Sequence, residues 1–351
     1  MNSWRDNVRK VEPYTPGEQP KEEGVIKLNT NENPYPPSEK IKEAMSEIKN
    51  LRKYPDPAAT KLVEAIASYH GFDKEEVFVG VGSDDVLAVA FMTFFNGKKP
   101  IFFPDITYSF YPVWAELFGI PYEKKAVNDA FEIQKEDYYA ENGGVVFPNP
   151  NAPTGAFLSL EVVEDIIQHN QDVVVIVDEA YIDFGGDTAK ELTRKYDNVL
   201  VVQTYSKSRS LAGLRIGYAI GNKELIKAMN DVKYSYNSYT MNEPSIVLGT
   251  AVLEDEEYFQ ETRNKIIDTR EWFQIEMRKI GFSFADSKAN FIFATHESVP
   301  AKEIFEAAKK AKIYVRYFDQ PRINNYLRIT IGTRDEMETL LDFLKEFTAT
   351  K

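Results

Sequence analysis

The sequence predicts an α/β protein. A large domain with a mainly parallel sheet flanked by helices is followed by a smaller α+β domain and preceded by an N-terminal arm. Three observations lead there. Between residues 76 and 221 short apolar runs alternate with helical patterns, the rhythm of strand–helix–strand units. One run, VVVIVDEA, is apolar without alternation, as a strand covered on both faces must be. At 351 residues the chain also exceeds the roughly 250–300 residues that one hydrophobic core serves, so a second domain and a cleft between the two are expected.

Taken in order, residues 1–37 form the arm, 38–240 the large domain and 241–351 the small C-terminal domain, against which the arm packs. The arm is rich in Pro, Asn and Glu and reads as extended chain with turns. SEKIKEAMSEI reads as an amphipathic helix N-capped by Ser38, and TKLVEAIASYH (60–70) as a second helix ended by Gly71. Strands are predicted at 76–81, 99–104, 121–127, 144–150, 173–180, 198–206 and 215–221, with helices such as DDVLAVAFMTFF and SLEVVEDIIQHN between them. After about residue 250 the pattern changes. A long charged helix over 254–279 leads to the short strands ANFIFAT, KIYVRYF and YLRITIG and to closing helices.

Composition narrows the function. With 43% hydrophobic and 28% charged residues the chain is ordinary globular protein. A net charge of −13 argues against nucleic acid as a partner, because no basic stripe is there to meet phosphates. An anionic small molecule stays open, since a few placed arginines can dominate a local field. There is no cysteine, so disulfides, thiolate chemistry and Cys-based metal sites drop out. His70, His169 and His296 lack metal-ligand spacing, and no metal is expected. The first residues carry no apolar leader and no segment is apolar enough to span a bilayer, so the expectation is a cytoplasmic protein without a membrane partner.

In open α/β sheets ligands gather beyond the carboxyl ends of the strands. Four polar clusters sit there. GVVFPNP runs into NAPTG, with Asn149, Asn151, Thr154 and Gly155; VVVIVDEAY ends in Asp178, Glu179 and Tyr181; NVLVVQTYSK delivers Thr204, Ser206 and Lys207; and SRSLAGLR brings Arg215 to the next strand. A lysine, a carboxylate, an arginine and hydroxyls on one edge suit a charged aromatic cofactor that carries a phosphate. Pyridoxal 5′-phosphate (PLP) requires that set: a lysine for its aldehyde, a carboxylate to keep its ring nitrogen protonated, and Arg, hydroxyls and helix N–H groups for its phosphate. Singly these residues have plainer readings, a helix cap for Asp178 or an ion pair for Arg215. GVGSDD lacks the third glycine of a dinucleotide loop.

The pattern S-K-x-x-x-L-A-G-L-R-x-G-Y, from Ser206 through Arg215 to Tyr218, resembles the fold-type I PLP aminotransferases of class I/II, as do NAPTG and VDEAY upstream. The likeness extends to LNTNENPYPPS (28–38), KYPDP (53–57), VGSDD (81–85) and LRITIGT (327–333). Within the class, the arm, KYPDP and the VR…LRITIGT ending are similar to the histidinol-phosphate aminotransferase branch. The resemblance implies roles by position. Lys207 would bind the cofactor and shuttle the proton, Asp178 would pair with the ring nitrogen, and Tyr181 would hydrogen-bond the ring's phenolate oxygen. Thr204, Ser206 and Arg215 would hold the phosphate together with the helix opening at Gly82, Ser83 and Asp84. Tyr108 would stack on the ring, and Tyr54 would reach the phosphate of the neighbouring subunit, which implies a homodimer. Arg328 would clamp a substrate carboxylate or its equivalent and Arg316 a substrate phosphate, while Tyr14 and Asn33 would line the pocket from the arm.

One position departs from the family, which has Asn directly before Pro-Thr-Gly to donate to the phenolate oxygen. Here it is Ala152. Either Asn151 takes the role through a backbone shift or Tyr181 acts with less help. The implied reaction is transfer of an amino group from a small-molecule donor, L-histidinol phosphate, to a 2-oxo acid. Alternatives on the same core are an aromatic aminotransferase, with an apolar pocket and no phosphate-binding Arg, and a threonine-phosphate decarboxylase, which would share both arginines. A PLP-dependent regulator would need an added basic DNA-binding module, for which the arm leaves no place.

Overall fold

A computed structural model describes residues 4–49 and 51–351. In the arm, β1 (Ile26–Lys27) precedes seven strands of one sheet: β2 (Val77–Val81), β3 (Ile101–Pro104), β4 (Tyr122–Lys125), β5 (Val145–Pro148), β6 (Val175–Asp178), β7 (Val199–Thr204) and β8 (Ile216–Gly221). Their order is β2-β8-β7-β6-β5-β3-β4. Only β8 runs against the others, antiparallel to both β2 and β7. Every residue of β3, β5, β6, β7 and β8 is buried, which is why these segments read as unbroken apolar runs.

Helices cover both faces. They are α1 (Glu39–Met45), α2 (Thr60–His70), α3 (Ser83–Phe94), α4 (Phe110–Phe118), α5 (Leu160–Gln168), α6 (Lys223–Tyr236) and α7 (Glu243–Ala251). Alternate strand residues go to opposite faces: Ile176 and Leu200 meet α3 and α4, whereas Val175, Val177, Val199 and Val201 meet Val163, Ile166 and Ile167 of α5. Toward the β2 edge, α2 and α7 pack on Val79, Ile216 and Ile220.

The small domain is built from α8 (Glu256–Lys279), β9 (Phe282–Ser283), β10 (Phe291–His296), α9 (Ala301–Lys310), β11 (Ile313–Tyr314), β12 (Arg316–Tyr317), β13 (Leu327–Thr330) and α10 (Arg334–Ala349). Its antiparallel sheet has the order β12-β13-β10-β9, and β11 pairs in parallel with β1 of the arm. Leu28 of the arm is buried in the small-domain core beside Ile292, Ile329 and Leu340.

Several elements differ from the sequence reading for identifiable reasons. Helix α2 ends where predicted, with Gly71 left-handed at φ 75°. Ser38 precedes α1, but its hydroxyl caps nothing: it is buried and without a hydrogen-bond partner. KIYVRYF is two strands, because Ile313–Tyr314 pairs with the arm and Arg316–Tyr317 with β13. Helix α7 lies beyond the expected boundary at 240/241, yet its Ile246 and Leu248 pack with Leu62 and Ile216 of the large-domain core; the small-domain core begins with α8.

Candidate active site

The carboxyl ends of β5, β6 and β7 and the loop before β8 converge beneath the arm and the small domain. They frame a cavity of about 170 Å³ whose walls include Tyr14, Tyr108, Tyr181, Lys207, Arg316 and Arg328. A second hollow of about 390 Å³ adjoins it and shares Tyr14, Tyr108 and Arg316.

Lys207 lies three residues beyond the end of β7. Its ammonium lies 3.3 Å from the Thr30 carbonyl oxygen and 5.7 Å from the Tyr181 ring centre. Asn33 does not line the cavity. Its amide instead donates to the carbonyls of Lys207 at 3.0 Å and Ser208 at 3.1 Å, fixing the backbone that carries the lysine. Asn31, which sequence reasoning passed over, is the arm's asparagine in the cavity wall, and it donates to the Tyr181 hydroxyl at 3.0 Å.

Asp178 ends β6 and is 4% exposed. Burial pushes its carboxyl up to about 6, against the opposing hydrogen bond from Tyr111. That bond runs from the Tyr111 hydroxyl to Oδ2 at 2.8 Å, while Oδ1 is buried with no hydrogen-bond partner. An orphan carboxylate oxygen of this kind is costly unless a donor or cation completes it. Tyr111 was also missed from sequence; it lies one helical turn after Tyr108 and shows no signal beyond that spacing.

A phosphate cradle forms where α3 begins. Gly82 is left-handed at φ 84°, and a Cβ there would stand 2.5 Å from Arg215 Nη2. In β8, a Cβ on Gly217 would stand 2.2 Å from the Ser83 backbone nitrogen, so the strand and the helix start touch backbone to backbone. Arg215 is left-handed at φ 53° and donates from Nη1 to Ser206 Oγ at 3.3 Å; Thr204 Oγ1 donates to the same oxygen at 3.0 Å. The Asp84 carboxylate does not face an anion. It accepts from Arg215 Nη2 at 2.9 Å and from the Tyr108 hydroxyl at 2.6 Å, so its side chain aims the arginine and only its N–H can serve the phosphate.

Asn151 is not placed to replace the missing donor at Ala152. Both its amide hydrogens are already used, one to the Ile106 carbonyl in the segment after β3 and one to Thr154 Oγ1 in its own loop, each at 2.9 Å. Tyr54 lies outside the cavity of its own subunit. It is 81% exposed and packs on Tyr239 with ring centres 4.6 Å apart. Tyr14 stacks on Phe110 at 4.3 Å.

The two remaining arginines have no carboxylate partner among the described residues. Arg328 donates from Nη2 to the Asn29 carbonyl at 2.8 Å, but its Nε is buried and unsatisfied, and burial pulls its pKa below the usual arginine range. Arg316 lies over the Phe318 ring at 5.4 Å. The lysine, the half-satisfied carboxylate and the cradle together fit a phosphorylated pyridine cofactor, and the two guanidinium groups without a carboxylate partner among the described residues fit an anionic substrate. Among the described residues no cluster of His, Asp and Glu could hold a metal ion, and no helix is long and apolar enough to cross a membrane.

Comparison with known proteins gives the family. The family profile of aminotransferase class I and II matches residues 23–344. Histidinol-phosphate aminotransferase of Lactococcus lactis subsp. lactis (strain IL1403) is 50% identical over 347 residues, covering 98% of this chain and 96% of its own. That of Clostridium beijerinckii is 51% identical over 344 residues, covering 97% and 96%. Among solved structures, the Clostridium acetobutylicum histidinol-phosphate aminotransferase superposes with a TM-score of 0.85 at 22% identity, over 93% of this chain and 100% of that one. The Sinorhizobium meliloti enzyme, solved in complex with pyridoxal-5′-phosphate, gives 0.84 at 21% identity over 93% and 91%. These last two carry the fold, and the half-identical relatives carry the family: the chain belongs to the class I and II aminotransferases and, within them, to the histidinol-phosphate aminotransferases.

Proposed function

We propose that the cleft holds PLP and that the protein moves the amino group of L-histidinol phosphate to 2-oxoglutarate, giving imidazole acetol phosphate and L-glutamate in histidine biosynthesis. The observation that carries this reading is the pair Arg316 and Arg328, in the wall of the Lys207 cavity without a carboxylate partner among the described residues. Two guanidinium groups in one cavity wall bind a phosphate dianion or a dicarboxylate far better than the neutral ring of an aromatic amino acid.

When bound, PLP supplies the electron sink that lets a proton leave the amino-bearing carbon. The protein does the rest. Asp178, one of whose oxygens has no partner, would keep the ring nitrogen protonated. Ser206, Thr204, Arg215 and the N–H groups opening α3 would hold the phosphate. Lys207 Nζ takes the proton from the substrate carbon and returns it, positioned by the backbone grip of Asn33. Arg316 and Arg328 orient donor and acceptor in turn, and Tyr14 and Tyr108 wall the site from water. The active form is a homodimer in the cytoplasm, with Tyr54 entering the partner's site.

Purified protein assayed with 2-oxoglutarate should form glutamate from histidinol phosphate and much less from phenylalanine, and should release no CO₂ from threonine phosphate. Preference for phenylalanine, or CO₂ release, would overturn the substrate reading. Lys207→Ala should abolish the visible absorbance of the loaded protein, and an unchanged spectrum would overturn the cofactor site.

A further inference from the structure

Each residue from Asn29 to Asn31 touches the reacting centre. The Asn29 carbonyl holds Arg328, the Thr30 carbonyl faces Lys207 Nζ, and the Asn31 amide meets the Tyr181 phenol. Asn31 is the most constrained of the three. It is 1% exposed and left-handed at φ 57°, a conformation asparagine tolerates better than most residues. Its N–H donates to Thr330 Oγ1 at 3.0 Å, its carbonyl accepts from Asn290 Nδ2 at 3.0 Å, and its side-chain Oδ1 accepts from the Thr330 hydroxyl at 3.0 Å. With Oδ1 held by Thr330, Nδ2 must point at Tyr181; flipping the amide would strip the buried Thr330 hydroxyl of its acceptor.

The consequence lies at the phenol. Its oxygen accepts from Asn31, so its own hydrogen is free to point into the cavity, and a phenol that accepts a hydrogen bond is the stronger donor. Ala152, packed with Tyr181 and Phe291, offers no donor of its own, and both amide hydrogens of Asn151 are engaged elsewhere. We infer that Asn31 is a positioning residue, fixed by Thr330 of the small domain, which sets Tyr181 as the hydrogen-bond donor to the cofactor's ring oxygen. The inference rests on the cofactor reading proposed above.

The test is a spectral pH titration of the PLP-loaded protein. A donor on the ring oxygen disfavours protonation of the neighbouring nitrogen, so losing it raises the midpoint of the visible band. Asn31→Gly keeps the left-handed backbone and removes the amide. Its midpoint should rise by about half a unit to one unit, the size of one hydrogen bond, and in the same sense as Tyr181→Phe. In the Tyr181→Phe background, Asn31→Gly should add almost nothing, because both act through one phenol. If Asn31 only pins the arm, the variant will lose thermal stability while its midpoint stays at the wild-type value; that result, or a full additional shift on top of Tyr181→Phe, overturns the inference. Should Asn31→Gly not fold, Thr330→Val decides: it keeps the asparagine but removes the hydroxyl that holds both its N–H and its Oδ1, so the amide is free to flip, and an unmoved midpoint again overturns the inference. A wild-type protein that shows no visible band with PLP would refute the cofactor reading instead, a separate outcome.

Discussion

Asp178 carries a cost that only a ligand can offset. Its carboxyl is raised from 3.8 to about 6, chiefly by burial, and Glu179 beside it from 4.5 to about 7 for the same reason. A carboxyl whose folded pKa lies above its unfolded value binds its proton more tightly when folded. Stability is therefore highest below the unfolded pKa and falls as pH rises through the folded one. For the cofactor-free protein this predicts a decline between about pH 4 and pH 7, with Asp178 contributing on the order of 3 kcal/mol. Glu179 is better supported, by Thr188 at 2.6 Å and Gln203 at 2.7 Å, whereas Asp178 keeps one bare oxygen. Asp178→Asn retains an acceptor for Tyr111 and removes the charge. At pH 7.5 it should stabilise the cofactor-free protein to urea by about 1–3 kcal/mol while weakening PLP binding at least tenfold. If the variant unfolds at lower urea than wild type, Asp178 is not the strained group described here.

At the scale of elements, the contact between β8 and the start of α3 decides how closely a phosphate can approach. Gly217 stands opposite Gly80 on β2 and Thr204 on β7, and its missing Cβ leaves room for the Ser83 nitrogen. Gly217→Ala would force backbone against backbone, which no rotamer can relieve. The expected loss is about 1–3 kcal/mol in urea unfolding, with weaker PLP affinity because the N–H groups of α3 and Arg215 move apart; unchanged affinity would separate the cradle from the phosphate. Such a contact also marks how far the sequence can be read. Fully buried strands announce themselves, because a segment covered on both faces must be apolar throughout, and the residues at their carboxyl ends were found for the same reason. Lys207, Asp178, Tyr181 and Arg215 stand within one or a few residues of strands, so locating the strands located them. The split between β11 and β12 and the empty cap at Ser38 depend on which distant element supplies the partner. Asn33 and Asn31 show the same limit. Two residues apart in one motif, one grips the Lys207 backbone and the other a phenol from the opposite side of the cleft, and nothing local separates them.

On the scale of the whole molecule, Tyr54 is the residue one subunit leaves unexplained. It is 81% exposed and packs on Tyr239, itself 45% exposed, so the two make an exposed aromatic pair outside the described cavity. In a two-fold homodimer the same patch on each subunit meets the other's surface, so a residue idle in its own site can serve its partner's. Mixed dimers test this. A Lys207→Ala subunit lacks the reacting amine but keeps Tyr54, whereas a Tyr54→Ala subunit keeps the lysine. If Tyr54 acts in trans, a hybrid of the two contains one intact site, with lysine from one chain and tyrosine from the other, and one site lacking both. Random reassociation of equal amounts makes half the dimers hybrids, so two nearly inactive proteins should recover about a quarter of wild-type activity when refolded together, in keeping with symmetric exchange. If Tyr54 acts within its own subunit, each hybrid site lacks one group or the other and mixing restores nothing. Recovery should also depend on allowing subunits to exchange, since mixing intact parental dimers leaves every site defective.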